Sequence, residues 1–212
     1  MGSTRHQGRA AMAVLLALLA NATSAVSAEL VFNADAEYET AVIWQYGGVQ
    51  APDFGSFAER YEGSGLVEAL VVDLTNPDLI FPEQGPSTMM VWADDGGAPG
   101  EVLVIRTDIH IPALHGWPEF SRVVREFEEP VTVGNAWWIG LWPPWVDSWA
   151  EYWIGLDEDG AQVTAATKVA PSQQWPMGWQ RLDVVWPEES TWHSARCSSW
   201  RRRPPELPRG EE

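Results

Sequence analysis

Short runs of β-branched, aromatic and other apolar residues recur along the chain, and turn-forming residues bound each run. Such spacing is typical of antiparallel strands, and no stretch beyond residue 28 keeps helical periodicity over several turns. The pattern predicts strands at Thr40–Tyr46, Leu66–Leu74, Thr88–Ala93, Glu101–Thr107, Phe120–Phe127, Ala136–Trp142, Glu151–Leu156 and Gln162–Val169. We therefore expect an all-β fold, an antiparallel two-sheet β-sandwich of the jelly-roll kind.

Two segments rich in Asp and Gly separate predicted strands. Asp94–Gly100 supplies residues suited to positive φ together with a proline, and Asp157–Gly160 has a similar composition. We expect both segments to form hairpin-like connections.

The N-terminus has the pattern of an export signal. Basic residues precede an apolar run from Ala10 to Ala20, and small residues follow as far as Ala28. Asn21 interrupts the run before it reaches the length of a membrane span. We expect residues 1–28 to be a cleaved signal peptide, residues 29–195 to form the β-domain, and the protein to be secreted or held in the cell envelope.

Charge restricts the partners. The chain has 30 Asp and Glu against 13 Lys and Arg, a net charge of −17. This composition excludes nucleic acids and anionic membrane surfaces as the leading partners, because both need a cationic face. A protein or a neutral glycan fits better than an acidic polymer. The single cysteine, Cys197, rules out an intrachain disulfide.

Three stretches in a fixed order carry a resemblance to a known type of domain: Trp44–Val49, Val91–Leu103 and Pro176–Gln180. Together they resemble an uncharacterised β-sandwich domain family that recurs in secreted, often multi-domain bacterial proteins. The resemblance covers about residues 40–195. It implies a β-sandwich fold and an exported, bacterial surface location, and it assigns no catalytic residue.

The C-terminal end departs from that resemblance, which implies a final apolar strand after Trp186. Instead, an arginine triplet, Arg201 to Arg203, precedes two prolines. Pro donates no ladder hydrogen bond and like charges repel, so this sequence does not suit a central strand. Two interpretations stay open: a frame slip near Ser194, or a disordered basic tail over residues 196–212 that docks on the acidic body.

Tryptophan is unusually frequent, with 14 residues, and several cluster between Trp137 and Trp153. Indole faces stack on sugar rings and offer an N–H donor. Trp142, Trp145 and Trp149 would form such a platform, with Asp147 and Glu151 accepting hydrogen bonds from sugar hydroxyls. The alternative is that these tryptophans close the edge of the fold or pack under a loop.

Two acidic turns suggest calcium-binding sites, because carboxylate and carbonyl oxygens that are close together in sequence are suitable ligands for a hard cation. The candidate ligands are Asp94 with Asp95, and Asp157 with Asp159. The stretch that begins at Asp157 does not have the EF-hand pattern, and Asp-Gly turns without metal are the alternative. We expect no other cofactor.

Signs of catalysis are weak. No H-E-x-x-H or G-x-S-x-G motif occurs, and no pair among the 30 carboxylates stands out for glycoside hydrolysis. The sequence favours a non-enzymatic extracellular structural or interaction module. A carbohydrate-binding module with a tryptophan platform is the alternative, and a carboxylate-based hydrolase comes third.

Overall fold

A computed structural model describes residues 29–31, 33, 38–42, 54–76, 86–142, 152–157, 164–170, 176–185, 194–195 and 200–203. The strands in this part of the chain are β1 Glu29–Val31, β2 Thr40–Val42, β3 Phe57–Glu62, β4 Gly65–Thr75, β5 Ser87–Asp94, β6 Pro99–Ile109, β7 Ser121–Val133, β8 Ala136–Trp142, β9 Trp153–Asp157, β10 Ala165–Val169, β11 Gly178–Arg181, β12 Ser194–Ala195 and β13 Trp200–Arg203. A single turn of helix, α1 Leu182–Val185, accompanies them. The described protein is therefore all-β, as the hydrophobic pattern predicts.

The strands form two antiparallel sheets. The first sheet has the order β1-β13-β4-β9-β12, with β2 also paired to β9 and β7 to β4. The second sheet has the order β11-β10-β3-β8-β5-β6. Within the described residues, no helix is long and apolar enough to cross a membrane.

A hydrophobic core draws side chains from both sheets. Leu74 and Ile154 of the first sheet belong to the same buried cluster as Phe57 and Ile139 of the second. The opposite face of the second sheet is buried as well, where Trp92 and Trp138 form a smaller cluster. Since β5 and β8 are covered on both faces, they are apolar at nearly every position instead of alternating.

Strands β3 and β8 approach each other closely at Gly140. A β-carbon there would lie only 1.9 Å from the carbonyl oxygen of Phe57. The pairing of Ala58 with Gly140 therefore requires a glycine.

Each of the eight predicted strands overlaps an observed one, and the predicted hairpin between β5 and β6 is confirmed. The second predicted hairpin is wrong, because β9 and β10 belong to different sheets. Strand β3 was not predicted, since Glu59, Arg60 and Glu62 interrupt its apolar pattern.

The C-terminal arginine triplet takes part in the first sheet. Strand β13 pairs with β1 on one side and with β4 on the other. Main-chain groups make these pairings, so they do not require apolar side chains. The sequence leaves two interpretations open for this end, a frame slip near Ser194 or a disordered basic tail over residues 196–212, and β13 lies within that range. Residues 196–199 and 204–212 lie outside the described part, as does the predicted signal peptide.

Candidate ligand-binding site

A shallow cleft lies on the face of the first sheet that is turned away from the core. Leu74 pairs with Ile154, which sets Asp73 beside Gly155, and Asp73 also pairs with Arg122. Three neighbouring strands therefore contribute one row of residues. The cleft above this row has a volume of about 460 Å³ and is lined by Tyr38, Asp73, Pro118, Phe120 and Arg122. We call it the aromatic cleft.

Gly155 lies beneath two rings that line the aromatic cleft. A β-carbon at this position would lie 2.8 Å from a ring atom of Phe120 and 2.8 Å from one of Tyr38. The two rings thus rest directly on the backbone of β9, with their centroids 4.4 Å apart. A side chain at this position would lift them off the sheet.

An ion pair forms the polar wall. Arg122 donates from Nε to Asp73 Oδ1 and from a terminal nitrogen to Oδ2, both at 2.9 Å. The Tyr38 hydroxyl donates to the same carboxylate. Hydrogen bonding to Asp73 raises the pKa of Arg122 above its ordinary value. The Asp73 side chain is 7% exposed and that of Arg122 is 47% exposed, so the carboxylate is fixed and the guanidinium reaches solvent.

Trp117 extends the aromatic surface beyond the cleft. Its ring meets Phe120 edge to face, with centroids 5.7 Å apart, and the residue is 42% exposed. Main-chain hydrogen bonds hold the segment: Trp117 donates to the carbonyl of Asn76 at 3.1 Å, and Asn76 donates to that of His115 at 2.9 Å. An exposed indole is therefore anchored to the end of β4.

The tryptophan platform predicted from sequence is only partly within the described residues. Trp142 is half-buried, packs against the core and donates its indole N–H to the carbonyl oxygen of Phe54 at 3.0 Å. Trp145, Asp147, Trp149 and Glu151 lie outside the described residues. The platform stays a prediction, and the N–H of its one described member bonds within the protein.

Asp94, a predicted calcium ligand, closes the hairpin between β5 and β6. Its Oδ1 accepts hydrogen bonds from Arg60 Nε at 2.9 Å and Trp138 Nε1 at 2.8 Å, and its Oδ2 accepts one from the Gly97 N–H at 3.1 Å. Burial alone would raise the pKa of Asp94, but these donors outweigh it and leave the pKa below its ordinary value. A cation here would have to displace Arg60. Its neighbour Asp95 is exposed and donates its backbone N–H to Ala98.

The second predicted calcium pair leads to a carboxyl group that the sequence analysis missed. Asp157 is fully buried, whereas Asp159 lies outside the described residues. In the described ranges, no three His, Cys, Asp or Glu side chains come together as a metal site would require. Calcium binding therefore remains a prediction for both turns.

Glu59 is the carboxyl group in question, and it is also fully buried. Burial raises its pKa to about 8, against the hydrogen bonds that Thr164 and Asn33 donate to Oε1, and the charge of Asp157 raises it further. Raised carboxyl pKa values often mark acid catalysts. Glu59, however, lines neither the aromatic cleft nor the groove between β6 and β7.

That groove is a second surface depression among the described residues, with a volume of about 530 Å³. Ile105 and Phe127 supply its apolar part, and Arg106 pairs with Glu128 at 3.2 Å across it. Its lining is thus a mixture of aliphatic and charged groups with one buried aromatic ring.

Comparison of the chain with family models, with curated proteins and with solved structures gave no match in any of the three. Function must therefore be argued from the geometry of the described surfaces.

Proposed function

We propose that the protein is an exported, non-enzymatic β-sandwich of the jelly-roll kind that serves as an extracellular interaction module, with the aromatic cleft as its ligand surface. The predicted export signal and the acidic composition support the extracellular part of this proposal. The two antiparallel sheets that share a core support the fold.

The observation that carries the proposal is the exposure of Trp117 beside Phe120, which extends an aromatic surface from the cleft. Exposed aromatic surface bordered by polar groups is typical of interaction sites, and tryptophan is prominent among residues that dominate binding energy. Trp117 is 42% exposed and contacts a second aromatic ring, so it belongs to a contiguous aromatic surface and is not a single exposed apolar side chain. The site therefore favours an interaction module over a structural one.

The aromatic cleft is also preorganised. Gly155 supports the rings, and the bidentate pair between Asp73 and Arg122 fixes the polar wall. A rigid site loses little side-chain entropy when a ligand binds. Small-molecule sites share this combination of apolar surface and a few fixed polar groups.

The proposal is tested by co-sedimentation of the exported protein with insoluble envelope and extracellular matrix material from the producing cells. We expect the wild type to be retained, and Trp117→Ala and Phe120→Ala to bind about tenfold more weakly, since central aromatic anchors dominate such interfaces. Met177→Ala is the matched control, because Met177 is 66% exposed and does not line the cleft.

Thermal unfolding of each variant shows whether it is folded. Failure of the wild type to be retained, or equal retention of all four proteins, would overturn the proposal.

A further inference from the structure

We infer that the aromatic cleft binds a neutral oligosaccharide, with its sugar rings packed against Phe120 and the neighbouring Trp117 and its hydroxyl oxygens accepting hydrogen bonds from Arg122. The inference rests on the proposed function of the cleft and specifies the class of its ligand. It assigns the sugar site to residues other than the predicted tryptophan platform.

The apolar half of the cleft suits the C–H face of a sugar. Phe120 and Tyr38 line the cleft with their centroids 4.4 Å apart and their planes at 40°, and Trp117 stands beside the cleft at 5.7 Å and 83° to Phe120. Each aromatic ring provides apolar area at a low cost in side-chain entropy. Because the rings are tilted against one another, they offer separate apolar surfaces along the cleft, which favours a ligand of more than one sugar ring.

The polar half suits vicinal hydroxyl groups. Each sugar hydroxyl oxygen accepts hydrogen bonds, so a fixed donor beside the rings suits it. The Arg122 guanidinium, 47% exposed, supplies such donors, and two hydrogen bonds of 2.9 Å to the buried Asp73 carboxylate hold it in place. Their fixed geometry also provides a basis for selecting among sugars that differ in hydroxyl orientation.

Electrostatics favour a neutral ligand. The positive charge of Arg122 is balanced at 2.9 Å by Asp73, so the pair presents no net charge to a ligand. The whole chain has a net charge of −17, which repels acidic glycans. An acidic sugar would gain no net attraction from the ion pair and would be repelled by the whole chain. A sugar without carboxylates or sulfates is not repelled.

The position of the cleft disfavours an extended peptide. Peptides commonly bind by adding a strand to a sheet edge. Asp73 and Leu74, however, belong to a stretch of β4 that is flanked by β7 and β9, so the cleft lies on the face of the sheet. A ligand there must be recognised by side chains, as a sugar is.

Isothermal titration calorimetry with neutral hexasaccharides of the glucan, mannan, xylan and chitin types tests the inference, with an oligogalacturonate as the anionic comparison. We expect saturable binding of at least one neutral sugar. Its affinity should change little between low salt and about 0.5 M NaCl, because screening acts on charged ligands.

Two variants locate the site. Trp117→Ala should weaken sugar binding about tenfold or more. Arg122→Lys should weaken it by a similar factor, because lysine keeps the charge beside Asp73 but lacks the planar fork. Met177→Ala should bind like the wild type.

Each outcome decides between the two proposals. If no neutral sugar binds while co-sedimentation still depends on Trp117, the sugar inference is overturned and the interaction module stands. If neither assay depends on Trp117, both fall. Salt-sensitive binding of the oligogalacturonate alone, or sugar binding that is unchanged in Trp117→Ala, would also overturn the inference.

Discussion

At the scale of single residues, Glu59 shows how burial changes the chemistry of a side chain. It extends from β3 on the same face as Phe57 and Tyr61, both of which belong to the core. Its pKa of about 8 means that the carboxyl group is mostly protonated at neutral pH. A protonated carboxyl avoids the cost of burying a charge.

The stability of the protein should therefore depend on pH through Glu59. Its pKa is about 8 in the folded state and near 4.5 in the unfolded state, so the folded state holds the proton over a range in which the unfolded state has released it. The stabilisation is complete below pH 4.5 and is lost as the pH rises through 8. Glu59→Gln keeps a neutral side chain, so its stability relative to the wild type should rise across this range.

Urea unfolding at about pH 5 and about pH 9 measures this difference. Glu62→Gln is the control, because the Glu62 side chain is 77% exposed. A difference between Glu59→Gln and the wild type that stays constant with pH would contradict the raised pKa.

At the scale of elements, two glycines set how closely strands and rings approach. A β-carbon at Gly140 would meet a backbone oxygen at 1.9 Å, whereas one at Gly155 would meet ring atoms at 2.8 Å. Backbone atoms in paired strands cannot move aside separately, but half-exposed rings can. We expect Gly140→Ala to destabilise the fold by more than about 3 kcal/mol and Gly155→Ala by about 1 kcal/mol.

Gly155→Ala should also abolish ligand binding, because the rings of Tyr38 and Phe120 must leave the sheet. Gly134→Ala is the control, since a β-carbon there meets nothing within 4 Å. Denaturant midpoints and the co-sedimentation assay measure the two effects. Equal destabilisation at Gly140 and Gly155, or unchanged retention of Gly155→Ala, would contradict this account.

The elements differ in how far the sequence predicts them. Strands β5 and β8 are found where expected, because they are apolar throughout and turn residues bound them. Strand β3 cannot be recognised in the sequence because Glu59, Arg60 and Glu62 interrupt its apolar pattern. Glu59 is nevertheless buried with a raised pKa, and Arg60 pairs with Asp94. The pattern of polar and apolar residues along the sequence gives no information about these tertiary contacts.

At the scale of the whole molecule, the aromatic cleft joins residues that are distant in sequence. Asp73 and Arg122 are 49 positions apart, and Tyr38 is 35 positions from Asp73. Only the strand pairing brings them together, and pairing partners cannot be read from local patterns. Local patterns show only residues that are close together along the chain, so the sequence predicts a ligand platform in the tryptophan-rich segment instead.

One local signal did point to the cleft. Trp117 stands between Gly116 and Pro118, outside every predicted strand. A large indole in a turn-like segment has few ways to be buried within a sheet. An isolated aromatic residue of this kind indicates exposed aromatic surface, although its partners Phe120 and Asp73 become evident only in the fold.

The most direct test of the central claim, that the aromatic cleft is the ligand site, is a two-dimensional ¹⁵N NMR titration with the neutral oligosaccharide panel. The account predicts that shifts are concentrated at the indole N–H of Trp117, the Nε–H of Arg122 and the amide of Gly155. Shifts concentrated at Trp142 or at the groove between β6 and β7, or no shifts with any member of the panel, would contradict it.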